Sequence, residues 1–170
     1  FCRMKKLWTF LLCFVTVCVV SQNITAKVIG VKDGDTVVIL VEDKPVTVRL
    51  AHVDAPEKNQ PYGAAAKKFT SEFCFGKMVA IIGDGKKDRN GRWIAEIFYR
   101  NQNLGKALVR NGLAWHFKRY SKNAVYAELE LNARQKKKGL WQEEKAAAPW
   151  DWRKYPELRK PKVKKLPHAA

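Results

Sequence analysis

The sequence predicts a mainly β α+β fold, a five-stranded Greek-key barrel of the OB type with three flanking helices. Three observations lead to this prediction: five short strand-like runs, three amphipathic segments with helical spacing, and the insertion of the first helix after the third strand. An open α+β sandwich would use the same elements and stays open as the alternative. A chain of 170 residues is long enough for one such domain with appended segments.

The predicted strands are short runs separated by turn-forming residues. Within the third run, apolar and polar side chains alternate, which directs Val48 and Leu50 to the core and Arg49 to the opposite face. Because a short turn joins the second and third strands, we expect the surroundings of Asp35 and Asp54 to meet. The five strands are predicted over residues 27–31, 36–41, 46–50, 78–82 and 93–99.

Three later segments have the spacing of helices that bury one side. The first is predicted from about residue 64 to Gly76, the second is short and closed by Gly112, and the third covers residues 124–138. The predicted buried stripes are Ala65, Phe69 and Phe73 in the first, Leu104 and Leu108 in the second, and Val125, Leu129 and Ala133 in the third.

Residues 1–26 have the pattern of a signal peptide or N-terminal anchor. Two lysines precede an apolar run over residues 7–20. That run is shorter than the roughly 20 residues that span a bilayer, which favours a cleaved signal peptide over an uncleaved anchor. Cleavage is predicted after Ser21 or after Ala26. The expected localisation is export, as a secreted, periplasmic or membrane-tethered protein.

Residues 146–170 differ in composition from the rest of the chain. They hold four of the seven prolines and many Lys and Arg residues with few aliphatic ones, which predicts a mobile basic tail. Trp150 and Trp152 could attach its first turn to the domain. The folded domain is therefore predicted over residues 27–145, where Cys74 is the single cysteine and is expected to be a buried thiol without a disulfide.

The chain is strongly basic, with a formal net charge of +17. Residues 1–26 contribute three cations and no acids, so the remainder carries +14. This excess favours a polyanionic partner such as nucleic acid. A solvated basic surface and affinity for anionic lipid remain alternatives that charge alone does not separate.

Carboxylates gather in one short part of this basic chain, between residues 33 and 57. Asp33 and Asp35 are two residues apart, so in extended chain their side chains leave on the same side. Asp54 and Glu57 follow the third strand. Each pair alone is commonly a turn or a helix cap. Together they offer the oxygen ligands that a hard cation such as Ca²⁺ or Mg²⁺ prefers.

Other catalytic arrangements have little support in the spacing. The three histidines are scattered along the sequence, at positions 52, 116 and 168, and the predicted domain has no cysteine pair. Zinc is therefore a poor fit. Nothing in the spacing supports a Ser-His-Asp arrangement.

Two long motifs extend this interpretation. The first joins residues 33–39 (Asp-Gly-Asp-Thr-Val-Val-Ile) to residues 49–57 (Arg-Leu-Ala-His-Val-Asp-Ala-Pro-Glu), and the second is residues 88–98 (Asp-Arg-Asn-Gly-Arg-Trp-Ile-Ala-Glu-Ile-Phe). They resemble the two signatures of the thermonuclease (staphylococcal nuclease-like) family. The similarity covers roughly residues 27–142, and the family fold is an OB barrel with three helices.

The resemblance implies an exported, calcium-dependent endonuclease. It would hydrolyse DNA and RNA with low sequence specificity and leave 3′-phosphoryl products. We also expect a monomer without an obligate protein partner, because the sequence shows no long apolar edge and no heptad pattern. A non-catalytic OB-fold module that only binds nucleic acid is the alternative. A cationic membrane-binding protein would explain the charge and the leader but not the motifs. Degenerate family members lose the site carboxylates or arginines, and this chain keeps them, which favours the enzyme.

The resemblance also implies a binding site for one Ca²⁺ ion. Asp35 and Asp54 correspond to its carboxylate ligands, and the backbone carbonyl of Ala55 corresponds to a third ligand. Asp33 and Thr36 are expected to orient the loop and the ligands without binding the ion themselves.

The remaining implied roles concern the substrate. Glu57 corresponds to the general base that activates or positions the attacking water, and Arg49 and Arg92 correspond to the arginines that grip the phosphate. Lys118 stands where the family has a substrate-contacting tyrosine, and Tyr120 matches another such tyrosine, so both are expected to contact substrate.

Overall fold

A computed structural model describes residues 22–159. The apolar run of the predicted leader and the last part of the predicted tail lie outside the described residues. The strands are β1 (Gln22–Asp33), β2 (Thr36–Val41), β3 (Lys44–Leu50), β4 (Val53–Asp54), β5 (Met78–Gly83), β6 (Trp93–Tyr99), β7 (Gln102–Asn103) and β8 (Trp115–His116). The helices are α1 (Gly63–Cys74), α2 (Leu104–Arg110), α3 (Ala124–Gln135) and α4 (Pro149–Lys154), with 3₁₀ turns at Gly139–Gln142 and Pro156–Arg159.

Five of these strands close into a barrel. Their order is β3-β2-β1-β5-β6, and β6 returns to pair in parallel with β3, where Val48 is opposite Trp93 and Leu50 is opposite Ala95. The predicted OB-type barrel is therefore confirmed over the open sandwich. The structure has four α-helices where the sequence predicts three, because α4 follows the predicted domain.

The strand β1 is longer than predicted because it serves two partners. Its first half, Gln22–Lys27, pairs with β5, and its second half pairs with β2. The change of partner is accompanied by a register shift between Val28 and Gly30, which is typical of a bulge that bends a barrel strand. Residues 22–26 are mostly polar, so no apolar run marks them as strand.

The barrel core is apolar and the helices cover it. Strand residues Val28, Ile39, Val48 and Ile97 are fully buried, and α3 adds Tyr126. At roughly 25 cal/mol per Å² of apolar surface, burial of this kind is the main source of fold stability. Within residues 22–159, none of the helices has the length and apolar character needed to cross a bilayer.

Helix α1 buries a different face from the predicted one. Its buried residues include Ala66, Thr70 and Cys74, whereas Ala65 is exposed and Phe69 and Phe73 are partly buried at the edge of the core. The small polar residues Thr70 and Cys74 can be buried because each donates a hydrogen bond inside the protein. Thr70 donates to the carbonyl of Gly34 at 2.6 Å, and the free Cys74 thiol donates to the carbonyl of Thr70. Burial raises the pKa of Cys74 to about 12, as the prediction of an inert thiol requires.

Helix α3 is likewise rotated from its predicted face. Tyr126, Glu130 and Ala133 are buried, while Val125 is 48 % exposed. The Tyr126 hydroxyl donates to Glu96 at 2.8 Å, and Glu130 accepts from Lys118 and Arg134. The predicted stripe is wrong at Val125, partly right at Leu129, which is half-buried against the core, and right at Ala133. The difference arises because Tyr126 and Glu130, whose polar atoms are paired, take the buried positions.

The start of the predicted mobile tail is part of the folded structure. Ala148 and Pro149 are buried, and Pro149 begins α4. Trp150 stacks on Phe117 with the ring planes 8° apart and meets Trp115 edge-on. The expectation that a tryptophan attaches this segment is met by Trp150, and the expectation of mobility does not describe residues 148–154.

Candidate active site

The first part of the site is a buried arrangement of Asp35, Arg49 and Asp54. Arg49 donates to Asp35 Oδ1 at 3.2 Å and to Asp54 Oδ1 at 2.6 Å. Asp35 Oδ2 also accepts from the amide of Ala55 at 2.9 Å, and Oδ1 accepts from the hydroxyl of Thr36. Antiparallel pairing of β2 with β3 sets Thr36 opposite Arg49, which brings the two ends together as the sequence predicts.

The turn between β1 and β2 holds Asp35 in place. A Cβ atom at Gly34 would lie 2.7 Å from the Cβ of Ala66 and 2.8 Å from the Cβ of Ala55, so only glycine allows this approach. Asp33 accepts a hydrogen bond from the amide of Asp35 at 3.2 Å. Helix α1 therefore braces the turn through Thr70, and Asp33 orders it, while the predicted orienting role of Asp33 toward a metal stays a prediction.

A reversal at His52 brings Asp54 back to the site after β3. His52 has φ of 68°, a left-handed conformation that is uncommon for residues with a side chain. Its Nδ1 lies 2.9 Å from Ser121 Oγ, and Nε2 of His116 lies 3.0 Å from the same oxygen. The two histidines that are scattered in sequence are thus joined through Ser121, which fixes the turn. Tyr126 packs against both rings.

Glu57 lies on a loop that is fixed from both sides. Its amide donates to the side chain of Gln60, and Gln60 donates onward to the carbonyl of Ala147 at 2.7 Å. Gly63 packs so tightly against the carbonyl of Glu57 that a Cβ there would overlap it. The Glu57 side chain remains 41 % exposed, so it can meet a substrate from solution.

A further arginine, Arg153 of α4, contacts the same acids. It donates to Asp54 Oδ2 at 2.6 Å and to Glu57 Oε1 at 2.6 Å, with a longer bond of 3.3 Å to Asp54 Oδ1. We call Asp35, Asp54 and Glu57 the carboxylate cluster. Sequence reasoning missed Arg153 because it is far from these acids along the chain and lies in a segment whose composition predicts mobility. The neighbouring tryptophans were the available signal.

Burial dominates the electrostatics of the carboxylate cluster. Removal from water raises the pKa of Asp35 to about 6, although Arg49 works in the opposite direction. Burial likewise raises the pKa of Asp54 against the opposing effect of Arg153 and Arg49. Burial alone would lower the pKa of Arg153, but its bonds to Asp54 and Glu57 outweigh this and raise it. The nearby arginines therefore do not fully offset the effect of burial on the pKa values of Asp35 and Asp54.

Arg92 contacts a different acid from those of the cluster. Its Nε and Nη2 atoms lie 2.7 and 2.6 Å from Asp88 Oδ2. The parallel pairing of β3 with β6 nevertheless sets Trp93, the next residue, opposite Val48, the residue before Arg49. Arg92 therefore immediately precedes the strand that neighbours Arg49, and the phosphate-binding roles of both arginines stay predictions.

The two predicted substrate contacts lie on the segment after β8. Lys118 is 66 % exposed and pairs with the buried Glu130 at 3.0 Å, whereas Tyr120 is 73 % exposed and packs edge-on against Phe117. Phe117 in turn stacks on Trp150. Tyr120 thus presents an aromatic face to solvent on the segment that also anchors α4. The substrate roles of both residues stay predictions.

A basic depression lies beside the turn that carries Asp35 and the loop that carries Glu57. It encloses about 420 Å³ and is bordered by Asp33, by the lysines Lys32, Lys58, Lys67 and Lys68, and by Glu72, which pairs with Lys68. Asp33 belongs to the turn that carries Asp35, and Lys58 follows Glu57. Positive charge thus borders the acids along this side, which suits an anionic chain leading to them.

The donors present fit a hard cation. Among residues 22–159, no three His, Cys, Asp or Glu side chains gather closely enough to form a metal site by themselves. The predicted set needs only two, Asp35 and Asp54, with the Ala55 carbonyl and water completing it. Buried carboxylates with raised pKa values gain most from such an ion, because it would supply the missing positive charge.

The closed barrel defines an OB-fold protein, and Asp35, Asp54 and Arg49 form a buried carboxylate–arginine cluster within it. Residues 47–143 match the family model described as staphylococcal nuclease homologue. The chain belongs to this family, and the resemblance stated from the two motifs is confirmed.

Several relatives share most of the chain. An "uncharacterized endonuclease" from Haemophilus influenzae is 38 % identical over 154 residues, covering 88 % of this chain and 85 % of its own length. A "micrococcal nuclease" from Shigella flexneri is 32 % identical over 139 residues, covering 75 % and 79 %. A "staphylococcal-like nuclease" from Arabidopsis thaliana is 35 % identical over 111 residues, covering 65 % of this chain and 34 % of its own length.

Proposed function

We propose that this protein is a calcium-dependent endonuclease that hydrolyses phosphodiester bonds of DNA and RNA with low sequence specificity and leaves 3′-phosphoryl ends. Family membership and the names of the relatives support a nuclease. The observation that carries the proposal is the convergence of Asp35, Asp54 and Glu57 with Arg49 in a basic chain.

The chemistry requires positive charge where a phosphodiester gathers negative charge. The transition state places extra charge on the phosphoryl oxygens, and a guanidinium can meet two of them at once. Arg49 is held by two carboxylates at the end of β3, so its position is fixed before substrate arrives. Arg92, immediately before the neighbouring strand β6, would offer a second guanidinium to the same anion once it leaves Asp88.

Asp35, Asp54 and the Ala55 carbonyl would hold the cation beside the phosphate. Such an ion supplies charge neutralisation and polarises the phosphoryl oxygen. Glu57 is exposed enough to accept a proton from the attacking water, and its loop is held by Gln60 and Gly63. A carboxylate in this position acts as general base while it remains ionised.

The first test is cleavage of single-stranded DNA by the purified protein, with Ca²⁺ or with a calcium chelator. Glu57→Gln should lower the cleavage rate by about 10²- to 10⁴-fold, the usual contribution of general-base catalysis. Glu144→Gln, an exposed glutamate beyond the 3₁₀ turn at Gly139–Gln142, is the matched control and should cut normally. Binding without cutting in any divalent cation would favour the non-catalytic module instead.

Product analysis tests the finer part of the proposal. A 3′-phosphatase should change the gel mobility of the fragments, because the proposed reaction leaves phosphate on the 3′ side. Fragments that respond only to removal of a 5′-phosphate would contradict the proposed direction of cleavage. The same assay on RNA measures whether the ribose 2′-hydroxyl matters.

We also propose that the protein is exported. The support is the leader-like sequence of residues 1–26, with its lysines and apolar run. Fractionation of cells that express the whole chain would test this, and recovery of the uncleaved chain in the cytosol would contradict it.

A further inference from the structure

Arg153 binds an oxygen of Asp54, which a cation at this site would need, and an oxygen of the neighbouring Glu57. Its Nη2 lies 2.6 Å from Asp54 Oδ2, and its Nη1 lies 2.6 Å from Glu57 Oε1. Arg49 already binds the other oxygen of Asp54 at 2.6 Å. Both oxygens of this buried acid are therefore engaged by guanidinium groups.

The position of Arg153 is built into the fold and is not a chance surface contact. Pro149 is buried at the start of α4, and Trp150 packs between Phe117 and Trp115. On the side of the site, Gln60 holds the carbonyl of Ala147. These contacts tie α4 both to the segment after β8 and to the Glu57 loop.

Arg153 supplies charge that the carboxylate cluster otherwise lacks. Asp54 is fully buried and Asp35 is nearly so, and Arg49 is shared between them. An ionised pair at this depth is costly without further positive charge. A guanidinium and a divalent cation can each supply that charge, but mutual repulsion opposes their simultaneous contact with one carboxylate oxygen, here Oδ2 of Asp54.

We infer that Arg153 is a positioning residue that occupies Asp54 and Glu57 until a divalent cation displaces it. The guanidinium keeps both acids in place in the cation-free protein, and binding of the ion requires its withdrawal. Arg153 and the ion thus compete for Asp54, and α4 is the element that couples cation binding to the C-terminal segment. The inference rests on the cation site of the proposed function.

Calorimetric titration with Ca²⁺ measures this competition directly. Arg153→Gln should bind Ca²⁺ about tenfold more tightly than the unaltered protein, a typical size for coupling between two binding events. The matched control is Lys154→Gln, which removes the same charge from the next residue of α4. Lys154 contacts the Tyr155 ring, so its loss should change the affinity by less than about twofold through screened charge alone.

Thermal unfolding supplies a second measurement that does not depend on catalysis. Without Ca²⁺, Arg153→Gln should melt below the unaltered protein, because two acids lose a counter-ion. At saturating Ca²⁺ the difference should narrow, since the ion replaces that charge and stabilises the variant more. Arg153→Lys keeps the charge but cannot bind two carboxylates at once, so its melting temperature should lie between those of the unaltered protein and Arg153→Gln. If Arg153→Gln does not fold, Arg153→Lys takes its place in both measurements.

The outcomes separate this inference from the proposed function. Equal Ca²⁺ affinities in Arg153→Gln and Lys154→Gln, or weaker binding in Arg153→Gln, overturn the inference while cleavage by the unaltered protein stands. Tighter binding in Arg153→Gln with no cleavage of nucleic acid by any form supports the inference and overturns the proposed activity. If no form binds Ca²⁺, both the inference and the calcium dependence are overturned.

Discussion

Two of the carboxylate–arginine clusters within residues 22–159 differ in the net direction of their pKa shifts. At the first, Arg49 is shared by Asp35 and Asp54, and burial raises the pKa of both acids. At the second, Arg92 and two backbone amides serve Asp88 alone. Burial works to raise the pKa of Asp88, but the bonds from Arg92 and the amides lower it overall.

The pKa shifts differ because each acid has a different amount of positive charge and hydrogen bonding available to it. Asp88 is satisfied within its own turn and gains little from any added ion. Asp35 and Asp54 are deeper and share their arginine, so they retain an unmet demand for positive charge. That demand supports the proposal of a cation at the first cluster and not at the second.

The largest expected contrast is in the stability of arginine variants. In the absence of divalent cations, Arg49→Gln should lower the free energy of unfolding by about 3–5 kcal/mol, because it leaves two buried carboxylates with less compensation. Arg92→Gln should cost no more than about 1 kcal/mol, since its partner lies near the surface. Urea denaturation measures the free energy of unfolding of both variants. Equal decreases in Arg49→Gln and Arg92→Gln would contradict the proposed difference between the two clusters.

The pH dependence of the cation-free protein gives a contrast of intermediate size. The folded-state pKa of Asp35 is raised from 3.8 to about 6. A raised pKa means that its contribution to stability is present below about pH 4 and is lost as pH rises through 6. Relative to Asp35→Asn, the unaltered protein should lose on the order of 1–3 kcal/mol between pH 4 and 7. If the difference in unfolding free energy between the two proteins does not change between pH 4 and 7, the raised pKa of Asp35 is contradicted.

The smallest effect is expected at Asp88, and its sign is reversed. Its pKa is lowered in the fold, so its contribution is present above the unfolded value and is lost as pH falls. Asp88→Asn should cost less than about 1 kcal/mol at pH 7 and less than that near pH 3. Chemical denaturation at both pH values measures this, and a larger loss in acid would be the wrong sign.

Much of the barrel and the centre of the site could be predicted from the sequence. Alternation in the third strand places Arg49 outside the core, and the short turn before it brings Asp35 near Asp54. The burial of Val48 and Leu50 confirms that alternation. Local period and turn chemistry sufficed here because each feature is set by neighbouring residues.

The helical faces could not be predicted from apolar period alone. Thr70 and Glu130 are buried because each finds a partner, Gly34 and Lys118 respectively, on another element. A pattern of hydrophobic residues carries no information about such pairs. The errors at Ala65 and Val125 therefore have the same cause, which is polar burial compensated over long sequence distances.

The contact of Arg153 was beyond sequence reasoning for a related reason. Its partners Asp54 and Glu57 precede it by 99 and 96 residues. Composition describes the average behaviour of residues 146–170, whereas one buried proline and one stacked tryptophan decide where α4 lies. The roles of the site residues in catalysis stay predictions until the variants are measured.

The double pairing of β1 has a consequence for how the chain can be shortened. Residues 22–26 form ladder bonds with β5 between Val79 and Gly83. A cut after Ala26 would strip that partner away and leave a bare strand edge, which is a template for joining another chain. A cut after Ser21 would leave the whole ladder intact. Of the two predicted cleavage positions, the one at Ser21 therefore spares the protein from self-association along β5.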